Sequence, residues 1–164
     1  MMRTALLIAV VALLGGCQSR KNTSALPAWM NSAGDGMVIL TYEKTPCFGA
    51  CPSFTFTWYA GGNVAWEGKH FVERMGTHSG KLDRDKFARV LEVANRIGYY
   101  DLDDTYDNKL VTDLPATTTE IHTGEGLKRV TNRYQGPEAL NELYQVLDAL
   151  LQEVTWGEAP SNAQ

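Results

Sequence analysis

The sequence predicts an α+β domain in which an antiparallel β-sheet of about five to six strands carries two amphipathic helices on one face. Residues 53–59 alternate aromatic and polar side chains, which indicates a strand with one buried face. Residues 83–98 and 137–154 carry apolar residues at three- and four-residue spacing, as amphipathic helices do. The order of these elements lacks the strand–helix–strand alternation of a parallel sheet, which favours the α+β class.

The first half of the domain is predicted to be mostly strand. Residues 37–44 (MVILTYEK) form the first strand and residues 53–59 the second. Residues 60–63 (AGGN) supply a tight hairpin turn, after which residues 64–67 return as the partner strand. A further strand is expected over residues 71–74 and part of the segment that follows. The residues expected to face the core are Phe54, Phe56, Trp58, Val64 and Trp66.

The second half is predicted to hold both helices and a hairpin. Asp83 is a suitable N-cap for the first helix, and Gly98 suits the position just past its end. Residues 99–114 are acidic and irregular. The second hairpin is expected over residues 116–123 and 127–134. Pro137 then suits the first turn of the last helix.

The N-terminus has the pattern of a secretory signal peptide. Arg3 precedes an apolar run over residues 5–14, which is too short to cross a bilayer. The residues Leu-Gly-Gly-Cys that end at Cys17 are similar to the lipobox of bacterial lipoproteins. That resemblance implies removal of residues 1–16, acylation of Cys17 (diacylglycerol and a fatty acid such as palmitate) and a membrane anchor. Gln18 in place of Asp implies the periplasmic face of the outer membrane if the host is Gram-negative; the alternative is a soluble secreted protein.

The expected organisation is a lipidated tether over residues 17–36, one domain over residues 37–156 and a flexible tail over residues 157–164. The chain is expected to fray from Trp156 onward. The 164-residue chain has a formal net charge of −4 and no basic cluster, which argues against nucleic acid as a partner. The partners expected are the membrane, through the N-terminal lipid, and an envelope protein or small ligand.

Residues 45–52 (TPCFGACP), here called the Cys loop, hold both remaining cysteines. With Cys17 lipidated, Cys47 and Cys51 form an even pair, and an oxidising compartment favours a disulfide between them. A ring this small stabilises a fold by only about 2 kcal/mol, so the bridge is expected to shape the loop. Gly49 is expected to permit the turn of the small ring. The possible binding surface comprises Pro46, Phe48, Gly49 and Pro52.

Copper binding and thiol–disulfide exchange are two other chemistries that a pair of cysteines can support. The C-x-x-x-C-P spacing resembles that of the copper-delivery proteins of cytochrome oxidase assembly, with His70, His78 or His122 as a third ligand. In those proteins the motif opens a helix, whereas here a strand follows. Thiol–disulfide oxidoreductases use C-x-x-C at a helix N-terminus, which is also missing.

No catalytic residue, metal ligand or cofactor is predicted. The sequence has neither an H-E-x-x-H nor a G-x-S-x-G motif. The acidic residues 101–107 lack the glycine and glutamate of a regular calcium loop, which leaves a solvated loop or an irregular calcium site.

The Cys loop, the aromatic strand with its Gly-Gly turn, the Gly98-Tyr99-Tyr100 helix end and the later residues 112–115 (TDLP) resemble a family of uncharacterised bacterial domains. These domains are often exported or lipid-anchored, and the family is catalogued as a domain of unknown function. The resemblance covers about residues 37–154 and implies no activity. We therefore predict a lipid-anchored envelope domain with a non-enzymatic binding or envelope-maintenance role. The alternative is a periplasmic copper-binding or thiol-redox carrier that uses Cys47 and Cys51.

Overall fold

A computed structural model describes residues 26–157, which form an eight-stranded sheet with two helices. The strands are β1 (Val38–Lys44), β2 (Ser53–Tyr59), β3 (Asn63–His70), β4 (Gly76–Lys81), β5 (Thr105–Tyr106), β6 (Thr117–His122), β7 (Leu127–Asn132) and β8 (Thr155–Trp156). Their order is β5-β7-β6-β1-β2-β3-β4-β8, and all neighbours are antiparallel except β5 and β7. The α+β prediction is confirmed. The two-residue strands at the edges were not predicted, and the parallel pairing of β5 with β7 makes the sheet mixed.

Helices α1 (Phe87–Arg96) and α2 (Leu140–Gln152) lie on the same face of the sheet. The ring of Phe87 in α1 is 5.7 Å from that of Trp58, and the hydroxyl of Tyr42 donates to Asp148 of α2 at 2.9 Å. Tyr42 and Trp58 project from the same face because Trp58 pairs with Leu40, two residues before Tyr42. The core therefore fills the space between one sheet face and one helix layer.

The core holds all five side chains that were predicted to point inward. Each is buried, and Trp58 has no exposed surface. The opposite face carries polar side chains, such as Thr41, Thr57 and Glu120, that are only partly covered. This difference between the faces produces the alternation of the sequence.

Two local predictions were wrong, and a third, the cap at Asp83, was confirmed with a different first turn. Residues 71–74 do not form a strand: Phe71 has a φ of 50°, which ends β3, and the next strand begins only at Gly76. Asp83 caps a 3₁₀ helix (Arg84–Lys86) that precedes α1, and its carboxylate accepts from the amide of Asp85 at 3.0 Å. Residues 137–139 form a turn, closed by the Leu140 amide on the Pro137 carbonyl, so α2 begins later than expected.

The two ends of the described chain pack against the domain. A 3₁₀ helix (Ala28–Asn31) precedes β1, with Met30 buried and the ring of Trp29 4.7 Å from that of His122. The described part of the expected tether thus lies against the sheet. At the other end Trp156 does not fray, because it pairs with Gly80 of β4.

The predicted signal peptide (residues 1–16), Cys17 and the predicted tail beyond residue 157 lie outside the described residues. No helix within residues 26–157 is long and apolar enough to cross a membrane.

Candidate functional site

The Cys loop is held at both of its ends by neighbouring strands. The amide of Thr45 donates to the carbonyl of Ala116 at 2.9 Å, and the amide of Ala116 donates to Thr45 Oγ1 at 2.8 Å. After the loop, Ser53 pairs with His70 of β3. The loop therefore projects from one end of the sheet, and its base is fixed on both sides.

The predicted disulfide is present. Cys47 and Cys51 are bonded, with their Cα atoms 5.6 Å apart, and the amide of Gly49 donates to the carbonyl of Cys47 at 2.9 Å. The expected reason for a glycine at this position is not observed. Gly49 does not adopt a positive φ, and a Cβ atom there would be 3.7 Å from Cys47 Sγ, an ordinary contact.

Apolar side chains are exposed at the end of the sheet that carries the Cys loop. Phe48 is 93% exposed, and the prolines on either side of the disulfide are exposed as well. Four of the five large apolar side chains that are exposed within residues 26–157 lie at this end, and we call them the apolar end: Phe48, Phe71, Met75 and Leu110. The fifth, Leu127, lies at the opposite end, in the β6–β7 hairpin.

Sequence reasoning found only Phe48 of these four residues. The other three lie in segments that are distant from Phe48 in the sequence. Phe71 and Met75 belong to the β3–β4 loop (residues 71–75), and Leu110 belongs to the segment before β6, whose first residue pairs with Lys44. Strand pairing places these segments at the same end of the sheet, and no local pattern in the sequence predicts that placement.

The β3–β4 loop folds back over β3. The indole N–H of Trp66 donates to the carbonyl of Arg74 at 2.7 Å. This return requires Gly68, because a Cβ atom at that position would collide with the Arg74 carbonyl oxygen. A single missing side chain thus lets the loop lie directly on the strand.

A cavity of about 290 Å³ lies between this loop and the last turn of α2. Its walls include Pro52 of the Cys loop, Trp66, Phe71, Arg74, Leu151 and Trp156. The guanidinium carbon of Arg74 is 4.8 Å from the centroid of the Trp156 ring. The cavity is near the lower end of the size range of small-molecule sites, and its walls combine apolar side chains with the polar groups of Glu73, Arg74 and Gln152.

A second cluster, next to the Cys loop on the helix side, has its charges paired. Lys44 Nζ is 3.2 Å from a carboxylate oxygen of Asp148 and 5.2 Å from the centroid of the Tyr42 ring. Burial, and then the charge of Asp148, raise the pKa of Tyr42 above its ordinary value. Tyr42 therefore stays protonated and acts as a hydrogen-bond donor that joins β1 to α2.

The three histidines do not meet at the Cys loop. His70 lies at that end, but the ring of His122 is at the opposite end, where its Nδ1 accepts from the Gly124 amide at 2.9 Å. His78 Nε2 is 2.8 Å from the Met75 carbonyl oxygen. Across residues 26–157, no group of three or more His, Cys, Asp or Glu side chains is placed to hold a metal ion.

The acidic segment over residues 101–107 is tied to basic side chains. Lys128 pairs with Asp104 and also donates to the carbonyl of Leu102, and Arg133 pairs with Asp107. These contacts fix the segment against β7 and occupy two of its carboxylates.

The model of one protein family, the Domain of unknown function (DUF6438), matches residues 38–151. The chain belongs to this family. The match begins at the first residue of β1 and ends in the last turn of α2, so it includes both the Cys loop and the loop that covers the cavity. No curated protein matches the sequence.

Proposed function

We propose that this member of the DUF6438 family is a non-enzymatic binding domain of the cell envelope, anchored by lipid at Cys17, which holds a partner protein at its apolar end. The observation that carries the proposal is the concentration of exposed apolar side chains there, with Phe48 and Leu110 more than nine-tenths exposed. Exposed apolar groups that cluster on a fixed scaffold are typical of interaction surfaces. Their burial by a partner is favourable by about 25 cal/mol for each Å² removed from water.

The envelope location rests on the N-terminal sequence. A short apolar run that ends in Leu-Gly-Gly-Cys supports export and lipidation at Cys17, and Gln18 supports the outer membrane of a Gram-negative host. A binding or envelope-maintenance role follows from this location together with the apolar end.

The direction of the chain favours a protein over a lipid surface as the partner. Trp29 packs on His122, so the chain enters the domain at the end of β6 that lies opposite the Cys loop. Eight residues separate Cys17 from Leu26, which limits how far the domain can lie from the lipid. A seven-residue strand adds about 23 Å beyond that point. This entry point supports an orientation in which the apolar end faces away from the membrane that would hold the lipid.

Photo-crosslinking in intact cells tests the proposal. A photoreactive amino acid is placed at Phe48, at Leu110 and, as the matched control, at Leu127, which is an exposed apolar position at the opposite end. We expect the first two positions to give the same protein adduct and the third to give none. Adducts with lipid at Phe48 and Leu110, or an equal yield at Leu127, would overturn the proposal.

The carrier alternative has one supporting observation. His70 is the histidine nearest the Cys loop, since it pairs with Ser53, two residues after Cys51. With the disulfide reduced, two thiolates and this imidazole would offer ligands suited to Cu(I). Mass spectrometry of the reduced protein after copper loading decides the matter, and absence of retained copper ends the alternative.

A further inference from the structure

We propose that the cavity beside the Cys loop is a binding site for a carboxylate carried on an apolar group, with Arg74 as the residue that receives the carboxylate. The inference goes beyond the proposed function, because it requires neither the lipid anchor nor a partner at the apolar end. The site depends on Arg74, whose guanidinium has no carboxylate partner within the described residues.

Arg74 differs from the other arginines of residues 26–157. Each of those has an oxygen partner, either a carboxylate or a carbonyl: Arg84, Arg89, Arg96, Arg129 and Arg133. The half-buried Arg74 guanidinium lies over the Trp156 ring at 4.8 Å, and it forms no hydrogen bond or ion pair within that part of the chain. A guanidinium that lies over an aromatic ring and has no other partner keeps its N–H donors available. Arg74 is therefore placed to bind an anion that enters the cavity.

The cavity is fixed before any ligand enters. The Trp66 indole holds the backbone of Arg74 at 2.7 Å, and Trp156 is held by its pairing with Gly80 of β4. The donor and the stacking surface thus sit on paired strands or on a loop bonded to one. Little ordering is lost when a ligand binds to such a site, which favours affinity.

The remaining walls select an apolar body next to the carboxylate. Trp66, Phe71 and Leu151 line the cavity, and its volume of about 290 Å³ suits a group of the size of one aromatic side chain. A bare inorganic anion would leave these apolar walls in contact with water. The ligand class is therefore an aryl or alkyl carboxylate.

The charges around the cavity restrict the ligand to a single negative charge. Glu73 also lines the cavity, as do Leu151 and Gln152 of the last turn of α2, where the helix dipole is negative. Both oppose an anion, but Glu73 is exposed and its field is screened by solvent. A direct charge-assisted contact with Arg74 outweighs them for one carboxylate. A dianion would meet the same opposition twice.

Two sources offer this chemistry, namely a free small acid and the C-terminal carboxylate of a peptide. The probes for the first are 3-phenylpropionate and its uncharged amide. The probes for the second are acetyl-Gly-Phe with a free C-terminus and the same peptide amidated. The protein is the chain from residue 18, which retains every residue of the described core. Binding is followed through the indole N–H signals of Trp66 and Trp156 in NMR titrations.

We expect at least one acid to bind about tenfold more tightly than its amide, the difference that a charge-assisted contact supplies. Arg74→Gln should abolish that preference, and Arg74→Lys should keep part of it. Arg129→Gln, which removes an exposed guanidinium from the opposite sheet face, is the matched control and should leave it unchanged. An unshifted Trp66 signal in Arg74→Gln without ligand would show that the loop remains folded.

Equal binding of acid and amide by the unaltered protein would overturn the proposal. So would the absence of any shift at Trp66 or Trp156 with all four probes, or a loss in Arg129→Gln equal to that in Arg74→Gln. A preference confined to the free acid identifies a small-molecule site, and a preference for the peptide acid identifies a peptide terminus. Either preference supports the inference.

Discussion

Removal of the disulfide should lower the stability of the domain modestly and leave its fold intact. In the double variant Cys47→Ser/Cys51→Ser, the unfolded chain regains the freedom of a five-residue ring. The chain-entropy relation gives about 2 kcal/mol for a ring of this size. The hydrogen bonds between Thr45 and Ala116 and the pairing of Ser53 with His70 remain, so the strands keep their register. For a domain of this length, the loss corresponds to a decrease of roughly 6–10 °C in Tm.

Urea denaturation followed by tryptophan fluorescence measures this loss. The matched control is the unaltered protein after reduction, which should agree with the double-serine variant because both lack the ring. A decrease of more than about 4 kcal/mol in the free energy of unfolding would contradict the prediction, because it would show that the disulfide stabilises the whole fold and not only the Cys loop. A loss too small to measure would show that the bridge does not constrain the unfolded chain.

Two further predictions concern the core and the cavity. Stability should decrease above about pH 10. Burial raises the pKa of Tyr42 and of Tyr99 in the folded protein, whereas the same two tyrosines ionise near pH 10 in the unfolded chain. The free energy of unfolding should therefore decrease by up to about 1.4 kcal/mol per pH unit for each tyrosine. Denaturation between pH 9 and about pH 11 measures it. Gly68→Ala should lower the free energy of unfolding by about 1–3 kcal/mol and displace the β3–β4 loop, because the added Cβ would collide with the Arg74 carbonyl oxygen. A Tm measurement detects the loss of stability, and the Trp66 indole N–H signal detects the displacement.

Each of these predictions has a control within the chain. For the pH dependence, Tyr42→Phe should reduce the alkaline slope, since phenylalanine has no phenol to ionise. An unchanged slope would contradict the assignment. For the loop, Gly126→Ala adds a Cβ atom where nothing lies within 4 Å, so it should be close to neutral. If both glycine variants behave alike, contact with Arg74 is not the cause.

The longer strands and both helices could be predicted because the spacing of their apolar residues along the chain indicates which side chains are buried. Phe54, Phe56 and Trp58 face the core at every second position, as the alternation of 53–59 requires. The strand expected at 71–74 failed because Phe71 and Val72 look like strand residues locally, while the return of the loop over Gly68 sets their conformation. β8 was missed because a two-residue strand carries no periodic signal.

The candidate site divides in the same way. The cysteine pair and the exposed Phe48 could be found because spacing and residue type mark them in one short segment. Leu110 and Arg74 could not be found. Leu110 lies in an acidic segment that reaches the apolar end only through β6, and Arg74 reaches its cavity only because Gly68 admits the loop.

The sequence by itself determined the class of fold, the buried face of β2 and β3, the disulfide and the extent of the family domain, because these depend on periodicity and on residue types close together in the chain. The tertiary structure alone decided which distant loops share an end of the sheet, and that Arg74 lies over the Trp156 ring beside a partly apolar cavity. The physical reason is that strand order and loop return follow from contacts between residues far apart in the chain. No local pattern encodes such contacts.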